Sequence, residues 1–91
     1  MKVRVVGFSH YLRTVNDKRY DNYKVFFIRH PYKGVFSESD VQGFVCDSVR
    51  GGSVFKDIQV DKCYDFTEAQ TRVFDGKPVY EVVEVKEIDK I

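Results

Sequence analysis

Apolar and polar residues alternate with a period of two along much of this chain, and in two places the alternation slips. Residues 2–8 (Lys-Val-Arg-Val-Val-Gly-Phe) set Lys2 and Arg4 on one face of a strand and Val3 and Val5 on the other. A second valine, Val6, then breaks the phase beside Gly7, which predicts a β-bulge in a sharply bent strand. The strand is expected to resume through His10-Tyr11-Leu12. Residues 15–22 form a polar, turn-rich, basic tip. Residues 23–29 are the clearest strand, with Tyr23, Val25, Phe27 and Arg29 on one face. Phe26 and Ile28 fall on the opposite face and are expected in the core, while Phe27 is left open between core and surface. Pro31 and Gly34 close the strand.

Further along, residues 35–40 read as a loop and residues 41–49 as a third strand, followed by a turn at Arg50-Gly51-Gly52-Ser53. The stretch 53–61 fits either a strand return or a short helical connector. A strand is expected from Cys63 to Phe66, and residues 71–74 and 79–88 flank a strong turn signal, Asp75-Gly76-Lys77-Pro78. The last strand slips phase at Val82-Val83. Long strands that slip in mid-course suit a sheet that must bend around corners. The expectation is one all-β domain over residues 1–91, a small five-stranded OB-fold-like barrel of strongly bent antiparallel strands.

Composition sharpens this picture. Six Tyr, eight Phe and many Val, against a single Ala (Ala69) and a single Leu (Leu12), favour sheet over helix. No apolar run approaches the ~20 residues that span a bilayer, and residues 1–4 carry no secretory pattern, so a cytoplasmic location is expected and no membrane. Cys46 and Cys63 form no close pair and are expected to stay reduced.

Charge is more telling. Residues 1–33 hold eight bases against two acids, a balance of +6, and residues 34–91 hold seven bases against twelve acids, a balance of −5; together they make the +1 of the chain. The basic part is also rich in rings: Tyr11, Tyr20, Tyr23, Phe26 and Phe27. Cations for phosphates beside flat rings for unstacked bases are what a single-stranded nucleic acid requires. Within it, Arg13, Lys18 and Arg19 bracket the tip, Tyr20 and Tyr23 supply stacking platforms, and Lys24 and Arg29 continue the charge along the strand. None of these lies in a helix that could enter a major groove.

No catalytic motif stands out. His10 and His30 are the two histidines that could serve as acid and base in a ribonuclease-like cleavage, and nothing in the sequence brings them together. A zinc site from His10, His30, Cys46 and Cys63 lacks any close ligand pair, so neither metal nor cofactor is expected. Gly51-Gly52 has no lysine and no following helix, and so reads as a turn rather than a phosphate loop. Glu81, Glu84 and Glu87 read as a solvated face that nucleic acid would avoid.

In its size, strand layout, long basic first hairpin (Arg13, then Lys18-Arg19-Tyr20) and its ending Asp75-Gly76-Lys77-Pro78-Val79-Tyr80 before a Val-rich strand, the chain resembles the filamentous-phage gene V type of single-stranded DNA-binding protein and related proteins of mobile elements. The resemblance implies an OB-fold homodimer that coats single-stranded DNA cooperatively during replication, without catalysis. It also implies binding residues Arg13, Lys18, Arg19, Tyr20 and Tyr23. The chain departs from the pattern at Arg19, where a glycine-lysine-proline turn is expected, and in its acidic second part. Two other readings compete: a small barrel for protein–protein contact, and a barrel that binds or cleaves RNA, since rings stack equally well on RNA bases.

Overall fold

The computed structural model describes residues 1–29 and 44–89. Five strands form a single antiparallel sheet: β1 (Lys2–Val15), β2 (Lys18–Arg29), β3 (Asp47–Gly51), β4 (Cys63–Phe74) and β5 (Lys77–Ile88), in the order β3-β2-β1-β4-β5. The expected all-β, five-stranded architecture is therefore present. Among the described residues the edge strands β3 and β5 are not hydrogen-bonded to each other, so the sheet is curled and open rather than a closed barrel.

The two slips in the alternation are real irregularities. In β1, Val5 pairs with Phe27 and Gly7 with Phe26, which leaves Val6 without a partner. In β5, Thr67 pairs with Glu84 and Glu68 with Val82, leaving Val83 over; β4 has a second such point at Thr71. Each extra residue bends its strand and raises the local twist. As a result β1 and β4 pair only through Lys2, Val3 and Arg4 against Asp65, Tyr64 and Cys63. Beyond that short seam the hairpins β1–β2 and β4–β5 part and run on as two projecting arms.

Both arms end in two-residue turns whose central residues have positive φ: Asn16 and Asp17 at 50° and 63°, Asp75 and Gly76 at 51° and 72°. This backbone matches the twist of the flanking strands, and Asn, Asp and Gly are the residues that adopt it at least cost. The second turn lies where Asp75-Gly76 predicts it. The first is tighter than the expected 15–22 tip, because β1 runs to Val15 and β2 starts at Lys18.

The core lies under the shared seam. Val3 and Val5 of β1, Tyr23, Val25 and Phe27 of β2, Tyr64 and Phe66 of β4 and Val82 of β5 close over Phe55 and Ile58. Phe27 meets Phe66 edge-on at 5.7 Å between centroids, and Phe55 meets Phe66 at 5.5 Å, a geometry favoured by ring quadrupoles. Phe55 comes from a short 3-10 turn, Ser53–Phe55, which resolves the open 53–61 stretch as a connector that plugs the sheet. Its ring occupies the space beside Gly51, where a Cβ would come within 2.5 Å of it.

Several boundaries differ from expectation. The third strand is short, beginning at Asp47 rather than 41, and it includes Arg50 and Gly51, which were expected in a turn. Residues 44–46 are not strand, and the expected loop at 35–40, Pro31, Gly34 and His30 lie outside the described residues. The strand at Cys63 continues unbroken to Phe74.

Candidate nucleic-acid interface

The bulge at Val6 decides which side chains of the first arm share a face. Before it, Val3 and Val5 point into the core; after it, the parity reverses. Tyr23 and Val25 are buried, so their partners His10 and Phe8, with Leu12 and Thr14 further out, stand on the core side. The remaining pairs stand on the opposite side: Ser9 with Lys24, Tyr11 with Asn22, Arg13 with Tyr20, and Val15 with Lys18. On β3, Arg50 pairs with Lys24 and joins them.

The outer face of the first arm and β3 thus carries Arg13, Lys18, Lys24 and Arg50 beside Tyr11 and Tyr20. Among the described residues no carboxylate stands on that face between positions 7–15, 18–26 and 48–50. Tyr11 and Tyr20 are 53% and 50% exposed, so both rings are open to a ligand. Lys24 holds its Nζ 5.2 Å from the centroid of Phe26, a cation–π contact that keeps the ammonium over the face.

Of the residues expected to bind, Arg13, Lys18, Tyr20 and Lys24 come together here. Three do not. Tyr23 is only 7% exposed and belongs to the core, with its ring 6.4 Å from Phe55 and stacked at 4.3 Å on His10. Arg19 pairs with Thr14, on the core side of the arm. Arg29 lies at the same side as Phe27 and is paired, Nε to Asp47 Oδ2, at 2.9 Å. The strand 23–29 therefore faces the other way from expectation: Phe27 is core, Phe26 is half-buried on the outer face, and Ile28 is buried outside the core cluster.

Tyr11, Asn22 and Arg50 were missed. The signal for Tyr11 was present, because a bulge at Val6 reverses the parity of everything after it. Arg50 could be placed only by the pairing of β3 with β2.

Two clefts adjoin the face. Ser9, Tyr11, Asn22, Tyr23, Lys24 and Arg50 line one of about 180 Å³. A larger one, about 410 Å³, lies between Arg50, Gly51 and Gly52 on one side and Arg72, Val79 and Glu81 on the other. Asn22 borders both, and its Nδ2 is buried without a hydrogen-bond partner. Glu81, expected on a face away from any ligand, lies instead in the larger cleft, where its Oε1 is 3.4 Å from Arg72 Nε. Glu84 and Glu87 are exposed, and Glu87 pairs with Lys62 at 3.1 Å.

His10 Nε2 donates to the Asp21 Oδ1 carboxylate oxygen at 2.9 Å. That contact, together with the stack on Tyr23, ties it to the arm; the second histidine, His30, lies outside the described residues. Among the described residues no three metal-ligating side chains gather, and no helix is long and apolar enough to cross a membrane. Comparison with protein-family models, with curated proteins and with solved structures finds no match.

Proposed function

We propose that this chain is a non-enzymatic, cytoplasmic single-stranded DNA-binding protein that lays the strand across the outer face of β1, β2 and β3. One observation carries the reading: among the described residues, two open tyrosine rings share the outer face of β1, β2 and β3 with four cations and no carboxylate. Strands that present rings to bases and cations to phosphates, with a hairpin tip alongside, suit sequence-tolerant binding. Each stacked base contributes ~1–3 kcal/mol, so two rings and a few phosphate contacts suffice for useful affinity.

A homodimer belongs to the same reading. The second arm exposes Val73, Phe74, Tyr80 and Val83, and Phe74 is 67% exposed. Rings and branched side chains clustered on one projecting hairpin favour a protein partner, and a second copy would present two DNA-binding faces. The reading includes a role in DNA replication, which rests on the resemblance to phage and mobile-element proteins alone.

The test is a titration of oligo-dT, the matching RNA and a duplex side by side over a range of salt. Four neutralised phosphates predict a slope of log K against log salt near −2.8, from about −0.7 for each. A flat response, or no binding, would refute the proposal. Equal affinity for RNA would move the ligand class to single strands in general, and tighter duplex binding would overturn the reading.

A further inference from the structure

We infer that the cleft beside Asn22 is a subsite that takes one inserted base through an acceptor on its ring edge; the inference rests on the single-strand reading above. The cleft opens on the outer face, between Ser9 and Tyr11 of β1, Asn22 and Lys24 of β2, and Arg50 of β3. Its volume of about 180 Å³ is well below that of clefts that take drug-sized ligands, roughly 300–1,000 Å³, and suits a single ring rather than a whole nucleoside. Tyr11 stands directly across from Asn22 and supplies a stacking surface at its mouth. Lys24 and Arg50, paired across β2 and β3, hold cations where the phosphates flanking an inserted base would run.

The informative group is the Asn22 amide. Its Nδ2 is buried and has no partner, a state that buried polar groups rarely tolerate. The terminal torsion of an asparagine is soft, so a rotation turns the N–H groups into the cleft at little cost. Once there, they require an acceptor. Each base supplies one: thymine O2 and O4, cytosine O2 and N3, adenine N1, N3 and N7. An inserted base therefore satisfies a donor that the free protein leaves unpaired, and an abasic site cannot. Ser9 adds a hydroxyl that can donate or accept at the same rim.

The experiment compares homopolymeric dT, dC, dA and an abasic strand of equal length, with the unaltered protein and with Asn22→Ala. A net hydrogen bond of this kind corresponds to about a fivefold change in affinity. Asn22→Ala is expected to weaken dT, dC and dA about fivefold while leaving the abasic strand unchanged. Because it removes an unsatisfied donor, its melting temperature should equal or exceed that of the unaltered protein; Asn22→Ser provides a second variant that also lacks the amide. Equal losses on all four strands, or none on any, overturn the subsite and leave the single-strand reading standing. Failure of the unaltered protein to bind any strand overturns both.

Discussion

Tyr20 and Tyr23 lie three residues apart on one strand, yet the fold gives them opposite tasks, and truncating each in turn separates them. Tyr23 is 7% exposed, contacts Phe55 in the core and carries the stacked ring of His10. Removing a buried ring of that size costs about 3–5 kcal/mol through lost transfer energy and the cavity left behind. For a chain of 91 residues, where each kcal/mol moves the midpoint by about 4–8 °C, Tyr23→Ala should lower Tm by at least about 12 °C. Tyr20 is half exposed and pairs only with Arg13 across the arm. Its truncation forfeits a cross-strand contact worth about 0.2–1 kcal/mol, so Tm should fall by a few degrees at most. Binding should move in the other sense. Loss of a stacking platform worth about 1–3 kcal/mol weakens oligo-dT binding by about 5- to 150-fold in Tyr20→Ala. Circular dichroism melting and fluorescence anisotropy read the two effects separately. If Tyr23→Ala melts like the unaltered protein but no longer binds DNA, the assignment of faces is wrong. The same follows if Tyr20→Ala unfolds.

Other consequences can be checked in parallel. Gly51→Ala should destabilise by about 1–3 kcal/mol, since its Cβ would lie 2.5 Å from a Phe55 ring fixed in the core. Gly7→Ala has nothing within 4 Å and should be neutral or slightly stabilising, and chemical denaturation distinguishes the two. Arg13→Ala should reduce the magnitude of the salt slope for oligo-dT by about 0.7, whereas Arg29→Ala, whose guanidinium is already paired with Asp47, should leave it unchanged. Phe74→Ser, at an exposed position of the second arm, should shift sedimentation equilibrium toward monomer without lowering Tm; an unchanged mass would remove that arm from the dimer contact.

Much of the fold was legible because it is written locally. Strand alternation, the slips at Val6 and Val83, and the Asp75-Gly76 turn all concern neighbours along the chain. The short 3-10 turn at Ser53–Phe55 and the late start of β3 were not, because they depend on what the chain packs against. Phe55 becomes a plug only once Gly51 leaves space for its ring and Phe66 arrives from β4.

The candidate site was legible in composition and not in orientation, and the reason is the bulge. A strand with period two has two possible faces, and one extra residue exchanges them for everything that follows. Val6 is that residue. Were there no bulge and Val6 paired in regular register, Tyr11 and Arg13 would share the core side with Val3 and Val5, and His10 would turn outward. With it, Tyr11 and Arg13 face out, and the two-residue turn at Asn16 and Asp17 passes the same parity to β2, where Tyr20, Asn22 and Lys24 face out and Tyr23 faces in. Counting from the core side of β2 alone cannot recover this, since Tyr23, Val25 and Phe27 read equally well as an exposed aromatic row or a buried one. The deciding information sits some twenty residues earlier, in a doubled valine beside a glycine. Deleting Val6 should therefore straighten β1 without exchanging its faces, because Val5 and Gly7 already stand opposite the adjacent residues Phe27 and Phe26: the arm loses the local bend and added twist of the bulge and keeps its basic, aromatic face.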